Sequence, residues 1–189
     1  MASSGSTGTR LYAWQAEALQ ARCTAGRTGI VEAVTGTGKT RVGQSAIEAA
    51  LSEGRSAVVL VPTKELQRQW QGALKRDLPG RVRVGLLGDG HRDEVRDHDV
   101  LVAIVNSARD HSIDPPEGSL LVADECHRYA PRASRSVLID QYELRLGLTA
   151  TLERPDRAEE ALIDYFGPVC YQVAYPRALP RMPSWLGSP

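Results

Sequence analysis

The chain has 189 residues, 42% hydrophobic and 24% charged, enough for one domain with a sizeable core. Its 23 basic residues balance 23 acidic ones, which excludes binding to nucleic acid or membrane through overall charge and leaves only a local patch for such contacts. Cys23, Cys126 and Cys170 are far apart and form no C-x-x-C pair, which argues against a disulfide framework or zinc site and for a reducing, cytoplasmic setting; no apolar run is long enough to span a bilayer.

Met1 to Thr9 are small and polar, without the apolar core of a signal peptide, and residues 1–10 are read as a disordered lead-in. From Leu11 to Cys23, apolar residues recur at helical spacing (Leu11, Trp14, Ala18, Leu19), and Gly26 and Gly29 end that helix. Thr28 to Val34 predicts a strand, and Lys39 to Glu53 a helix that stops at Gly54. Ser56 to Val61 is an apolar run closed by Pro62, the pattern of a strand covered on both faces in a parallel sheet. Thr63 is suited to cap a helix over Lys64 to Leu78, which Pro79 and Gly80 break.

Arg81 to Leu87 alternates like an edge strand, Gly88 to Asp97 reads as a polar loop, and Asp99 to Val105 as another buried strand followed by a short helix. A turn at Asp114 to Gly118 precedes the strand Ser119 to Ala123. Beyond it the pattern predicts a helix near Ser134 to Asp140, a strand over Glu143 to Leu148, a helix over Arg157 to Tyr165 and a short strand over Val169 to Val173. Residues 175–189 are proline-punctuated and aperiodic, expected to be an irregular tail at which the chain is cut short of a further domain. Alternating strands and helices imply an α/β fold with a mostly parallel sheet and helices on both faces, assigned to residues 11–174, with functional groups at the carboxyl ends of the strands.

The chemistry concentrates in Ala33-Val34-Thr35-Gly36-Thr37-Gly38-Lys39-Thr40, which follows a strand and opens a helix. That is the context of a phosphate-binding loop: glycines let backbone N–H groups approach a polyphosphate, and the new helix aims its unpaired N–H groups and positive dipole end at the same anion. Thr35, Gly36, Thr37, Gly38, Lys39 and Thr40 are therefore candidate nucleotide-binding residues, with Lys39 reaching the β- and γ-phosphates and the Thr40 hydroxyl ligating Mg²⁺. Ala33 stands where the general pattern has glycine. The plain alternative is a flexible turn before an ordinary helix.

Asp124-Glu125-Cys126-His127 follows the apolar Leu120 to Ala123. There Asp124 can hold Mg²⁺ through a water, and Glu125 can orient or deprotonate an attacking water, although an Asp-Glu pair also simply caps helices. With the loop, these residues resemble the motifs of the first RecA-like domain of superfamily 2 DEAD/DEAH-type helicases, in the branch of excision-repair helicases and type III restriction translocases. Ala33 to Thr40 resembles motif I of that group, and Asp124 to His127 its motif II. Thr149-Ala150-Thr151 resembles motif III, Pro62-Thr63-Lys64-Glu65-Leu66 with Gln69-Trp70 motif Ia, and Trp14-Gln15 the upstream glutamine motif.

The resemblance implies that Gln15 reads the adenine edge and that Lys39, Asp124 and Glu125 carry ATP hydrolysis with Mg²⁺ as cofactor. It further implies that His127, Thr149, Ala150 and Thr151 couple the nucleotide site to movement, and that Pro62, Thr63 and Lys64 touch the nucleic-acid backbone. Ser107 is carried over as a further nucleic-acid contact, although Ile104 replaces the threonine usual before it. Gly88-Asp89-Gly90 is either a backbone-contact turn or a plain connection, and His91, His98 and His111 are read as surface residues. The helicase core has two RecA-like domains, the second supplying arginine fingers, so a second domain or partner subunit is expected. The implied function is the nucleotide-binding half of an ATP-dependent helicase or translocase acting on DNA in preference to RNA. A regulatory or protein-interaction module with little turnover is the alternative.

Overall fold

A computed structural model describes residues 11–78, 80–129, 136–150 and 158–173. The readings of the lead-in, Thr151, the start of the last helix and the tail lie outside those residues. In chain order the elements are α1 (Ala13–Thr24), β1 (Ile30–Ala33), α2 (Lys39–Ser52), β2 (Ala57–Val61), α3 (Lys64–Asp77), β3 (Val84–Gly88) and β4 (His91–Arg92). After a 3₁₀ turn at Val95–Asp97 come β5 (Val100–Ile104), α4 (Val105–Asp110), β6 (Leu120–Asp124), a second 3₁₀ turn at Cys126–Tyr129, β7 (Leu144–Thr149), α5 (Ala158–Phe166) and β8 (Val169–Val173).

The strands form one sheet in the order β4-β3-β5-β2-β6-β7-β1-β8. All neighbours pair in parallel except β3 and β4, whose short antiparallel pairing joins Leu87 to Arg92 and Gly88 to His91. Strand period two divides the apolar runs between two cores. Val31, Val59, Val102, Val122, Leu146 and Leu148 face α1, α2 and α3, where they meet Ala18, Ile47, Trp70 and Leu74. Val58, Leu60, Leu101, Leu121 and Ala123 face the other way, onto Ala108, Tyr129, Leu162 and Phe166. A fully buried Val, Leu or Ile on either face stabilises by roughly 1.5–3 kcal/mol, which outweighs local propensity and explains why both faces of β2 and β6 are apolar.

The ends of α3 are set by its sequence. Thr63 Oγ1 accepts the Leu66 N–H at 3.3 Å as an N-cap, and Leu78, the residue before Pro79, is extended. Two expectations need correction. Residues 136–140 are turn rather than helix: Val137, Leu138 and Ile139 all pack against the second core, which successive residues of a helix cannot do, while Ser134 and Arg135 lie outside the described residues. The polar loop after β3 contains β4 and a 3₁₀ turn, so β3 is not bare along its outer edge; His98, expected at the surface, is half-buried with its ring against Gly85.

Gly43 lies mid-way along α2, where glycine costs ~1 kcal/mol relative to alanine. Packing reverses that preference, because a Cβ would fall 2.5 Å from Trp70 Cη2, 3.2 Å from Leu148 Cδ1 and 3.3 Å from Val122 Cγ1. Gly43→Ala is expected to lower stability by about 1–3 kcal/mol in urea unfolding, the cost of an overpacked core; a rise in the midpoint would show that helix propensity wins.

Candidate functional site

The parallel strands bring their carboxyl ends to one edge, and the candidate residues divide along it by strand order. The ends of β1, β7 and β6, which are neighbours, carry the loop after Ala33, then Thr149, then Asp124. The adjoining ends of β2, β5 and β3 carry Pro62 to Lys64, Ser107 on α4, and the Gly88 turn.

Ala33 is the last residue of β1 and fully buried in the first core, so that position is strand and needs no glycine. The turn comes later. Gly36 and Gly38 have φ of 84° and 93°, which an L side chain rarely adopts. The Thr37 hydroxyl donates to the Val34 carbonyl at 2.7 Å and closes the turn. Gly38 is the N-cap of α2; the Arg41 N–H returns to its carbonyl at 3.0 Å, and the Lys39 and Thr40 N–H groups before it have no helical acceptor.

Gln15 is 2% exposed and its amide is engaged at both ends. Oε1 accepts the Tyr12 N–H at 2.9 Å, and Nε2 donates to the Gly38 carbonyl at 3.1 Å, so α1 is tied to the loop. One lone pair and one N–H remain on that amide for a further contact. Beside it, Tyr12, Gln15, Gly38, Thr40, Arg41 and Gln44 line a hollow of about 520 Å³.

Lys39 is only 7% exposed, and its Nζ stands 3.5 Å from Glu125 Oε1. Glu125 has a left-handed φ of 52°, an unusual conformation for a non-glycine residue that turns its side chain back toward the loop. Asp124 is 5% exposed; Oδ2 accepts from Trp70 Nε1 at 2.8 Å and Oδ1 from the Glu125 N–H at 3.1 Å. Burial pushes the Asp124 carboxyl above its ordinary range, and the Trp70 hydrogen bond opposes that shift. His127 Nδ1 lies 2.9 Å from Thr149 Oγ1 and 3.4 Å from Glu125 Oε2, while Tyr129 Oη donates to the Asp124 carbonyl at 2.9 Å. Thr149 is fully buried at the end of β7, with half-buried Ala150 after it.

On the other half of the edge, Lys64 is exposed in the first turn of α3, and Pro62 and Thr63 are half-buried. Ser107 is brought to the Gly88 turn so closely that a Cβ on Gly88 would fall 2.7 Å from its Oγ. Sequence reasoning missed two residues of α3. Buried Gln67 donates through Nε2 to the carbonyls of Leu87 (3.0 Å) and Val102 (2.8 Å), and Trp70 was noted for its motif without its bond to Asp124. The available signal was a tryptophan on the apolar face of a helix, whose buried N–H needs an acceptor.

A glycine-turned loop between a parallel strand and a helix, with a lysine reaching a carboxylate pair at a neighbouring strand end, defines a RecA-like P-loop domain. A family model described as type III restriction enzyme, res subunit, matches residues 9–154, and the chain belongs to that family, as an N-terminal RecA-like domain of the superfamily 2 helicase type. A Halobacterium salinarum protein provisionally named DNA 3'-5' helicase Rad25 is 33% identical over 143 residues, covering 74% of this chain and 23% of that protein. An African swine fever virus protein (isolate Pig/Kenya/KEN-50/1950), provisionally named ATP-dependent RNA helicase QP509L, is 34% identical over 141 residues, covering 70% of this chain and 27% of its own length. The chain thus spans about a quarter of the length of these curated relatives. The Sulfolobus solfataricus SWI2/SNF2 ATPase core in complex with dsDNA shares the fold, with a TM-score of 0.70 at 14% identity over 92% of this chain and 47% of that one.

Asp124→Asn removes a buried charge and keeps an acceptor for Trp70. Because burial favours the neutral acid in the folded state, this substitution is expected to raise the thermal midpoint at neutral pH in metal-free buffer. A lower midpoint would mean that the partners of the carboxylate outweigh the cost of burying it.

Proposed function

We propose that this domain is the ATP-binding half of a cytoplasmic, ATP-dependent helicase or translocase that acts on DNA in preference to RNA and works with a second RecA-like domain. The observation that carries this reading is the convergence of Lys39 on Glu125 at 3.5 Å, beside the glycine-turned loop, in a chain of this family. The preference for DNA draws on the names of the Rad25 relative and of the SWI2/SNF2 complex.

The residues suit the ligands. Gly36 faces open space, with nothing within 4 Å of where a Cβ would be, so its backbone is accessible to phosphate. Among the described residues no three His, Cys, Asp or Glu side chains gather into a metal cage. A hydroxyl and one carboxylate, Thr40 and Asp124, are what Mg²⁺ takes from a protein when phosphates and waters complete its shell. When bound, Mg²⁺ would neutralise charge developing on the β- and γ-phosphates.

The chain's own side chains then divide the work. Lys39, buried against Glu125, exchanges that carboxylate for the phosphates, which leaves Glu125 to accept a proton from the attacking water. Asp124 would hold Mg²⁺ through a water, and Gln15 presents its remaining donor and acceptor to the adenine edge. His127, Thr149, Ala150 and Thr151 transmit the state of the phosphate to Pro62, Thr63, Lys64 and Ser107, which contact the nucleic-acid backbone.

Lys39→Ala is expected to abolish nucleotide binding in calorimetry, and unchanged affinity would remove the phosphate-loop assignment. Assayed alone, these 189 residues are expected to bind Mg·ATP or Mg·ADP but to hydrolyse ATP slowly, with little stimulation by nucleic acid, because arginine fingers from a second domain contribute on the order of 10³–10⁵ in rate. Robust nucleic-acid-stimulated turnover by the monomer would contradict this. Affinity for nucleic acid is expected to fall steeply as salt rises, and a flat salt dependence would argue against a backbone contact.

A further inference from the structure

Trp70 heads the fully buried side chains by size and lies at the junction of three elements. Its ring crosses α2 where Gly43 leaves no side chain, with Leu148 of β7 and Val122 of β6 lining the same spot. Its Nε1 donates to Asp124 Oδ2 at 2.8 Å, within the buried layer. Such packing gives the indole one orientation, so the N–H is aimed before any ligand arrives. Asp124 Oδ1 is engaged as well, by the Glu125 N–H at 3.1 Å, and the carboxylate is held by two donors from different parts of the chain.

One face of α3 carries its own cap and two ties to the sheet in succession, at i, i+4 and i+7. Thr63 caps the helix next to exposed Lys64, Gln67 bonds the carbonyls of Leu87 in β3 and Val102 in β5, and Trp70 bonds Asp124 in β6. A displacement of α3 against the sheet must therefore act on the Asp124 carboxylate.

We infer that Trp70 is a positioning residue for Mg²⁺ at Asp124: its N–H fixes the carboxylate, and α3 ties that orientation to occupancy of the edge at Thr63 and Lys64. This rests on Asp124 being the magnesium carboxylate. The route runs through the body of α3, separate from the His127 and Thr149 contact.

The test titrates MgCl₂ into the full 189-residue chain with N-methylanthraniloyl-ADP, read by direct excitation of the label. Trp70→Phe keeps an aromatic ring and loses the N–H. Its nucleotide affinity in EDTA should stay within about twofold of the parent, while half-saturating Mg²⁺ rises roughly tenfold, the scale set by losing a hydrogen bond to a charged group. Asp124→Ala should raise it too, and Trp70→Phe should add little on that background. If Asp124→Ala shifts the magnesium dependence and Trp70→Phe does not, Trp70 only packs, and the inference is overturned. If Asp124→Ala itself leaves the dependence unchanged, the magnesium reading fails and takes the inference with it.

A measurement on the unsubstituted chain covers the case in which Trp70→Phe does not fold. With ¹⁵N-indole labelling, the Trp70 N–H resonance should move on saturation with Mg·ADP, and should also move when bound by a single-stranded oligodeoxythymidylate without nucleotide. A resonance unmoved by bound Mg·ADP overturns the positioning role, and one unmoved by the bound oligonucleotide overturns the tie through α3.

Discussion

A parallel sheet forces the carboxyl ends of its strands onto one edge, and the placement of every candidate residue except Gln15, which α1 brings to the loop, follows from that constraint. The apolar runs of β2, β5 and β6 require cover on both faces, and helices supply it as crossovers between parallel strands that are not neighbours in the sheet. The crossovers through α2, α3 and α4 begin at the same edge, so the ends of β1, β2 and β5 are each close to a helix start. The loop before α2, the cap of α3 and the first turn of α4 therefore lie together without any residue having been drawn there by a ligand. Function is built on groups the topology had already gathered.

Gathering them carries a cost that the structure shows at Asp124 and Glu125. The first is a carboxylate 5% exposed, with its ionised form disfavoured by burial, and the second holds a left-handed backbone. A left-handed non-glycine residue costs about 1–2 kcal/mol. Both departures fall at the end of β6, in contact with Lys39 and Trp70, while the interior of the same strand is uniformly apolar and buried. Along β6 local rules are broken only at the end where chemistry is expected. Left-handed non-glycine residues also stand at Arg27 and Asp89, so the backbone of Glu125 marks a site only together with the buried Asp124 beside it.

Strand and helix identity could be read from the sequence because burial on two faces writes a continuous apolar run, as in Ala57 to Val61, and because Thr63 and Pro79 punctuate α3 locally. The glycine turn and the Asp-Glu pair were legible for the same reason: their chemistry is carried by neighbours in sequence. Residues 136–140 were misread because Val137, Leu138 and Ile139 are held by a core whose other members come from distant elements and leave no local trace. The engagement of Gln15 with Gly38 and of Trp70 with Asp124 spans 23 and 54 residues, and no pattern within one helix announces either partner. Ala33 shows the converse, since a position that looked like a departure from a motif is an ordinary buried strand residue once the turn is seen to begin after it.

The sheet order also limits the routes between the two halves of the edge. Strand β2, which leads into Thr63, is hydrogen-bonded directly to β6, which ends in Asp124. Neighbouring parallel strands inside a sheet cannot slide independently, because a shift of register would break every ladder bond and turn apolar side chains out of the core. The helices packed on them have more freedom, since side-chain packing admits small shear where backbone pairing does not. If the two halves communicate, the signal is therefore carried by a helix that touches both. On the face shared with α2, α3 does so, with Gln67 fastened to β3 and β5 and Trp70 to β6. Typical coupling free energies are about 1–3 kcal/mol, the size of one or two hydrogen bonds to a charged group, so a single indole N–H on a buried carboxylate is sufficient to carry one.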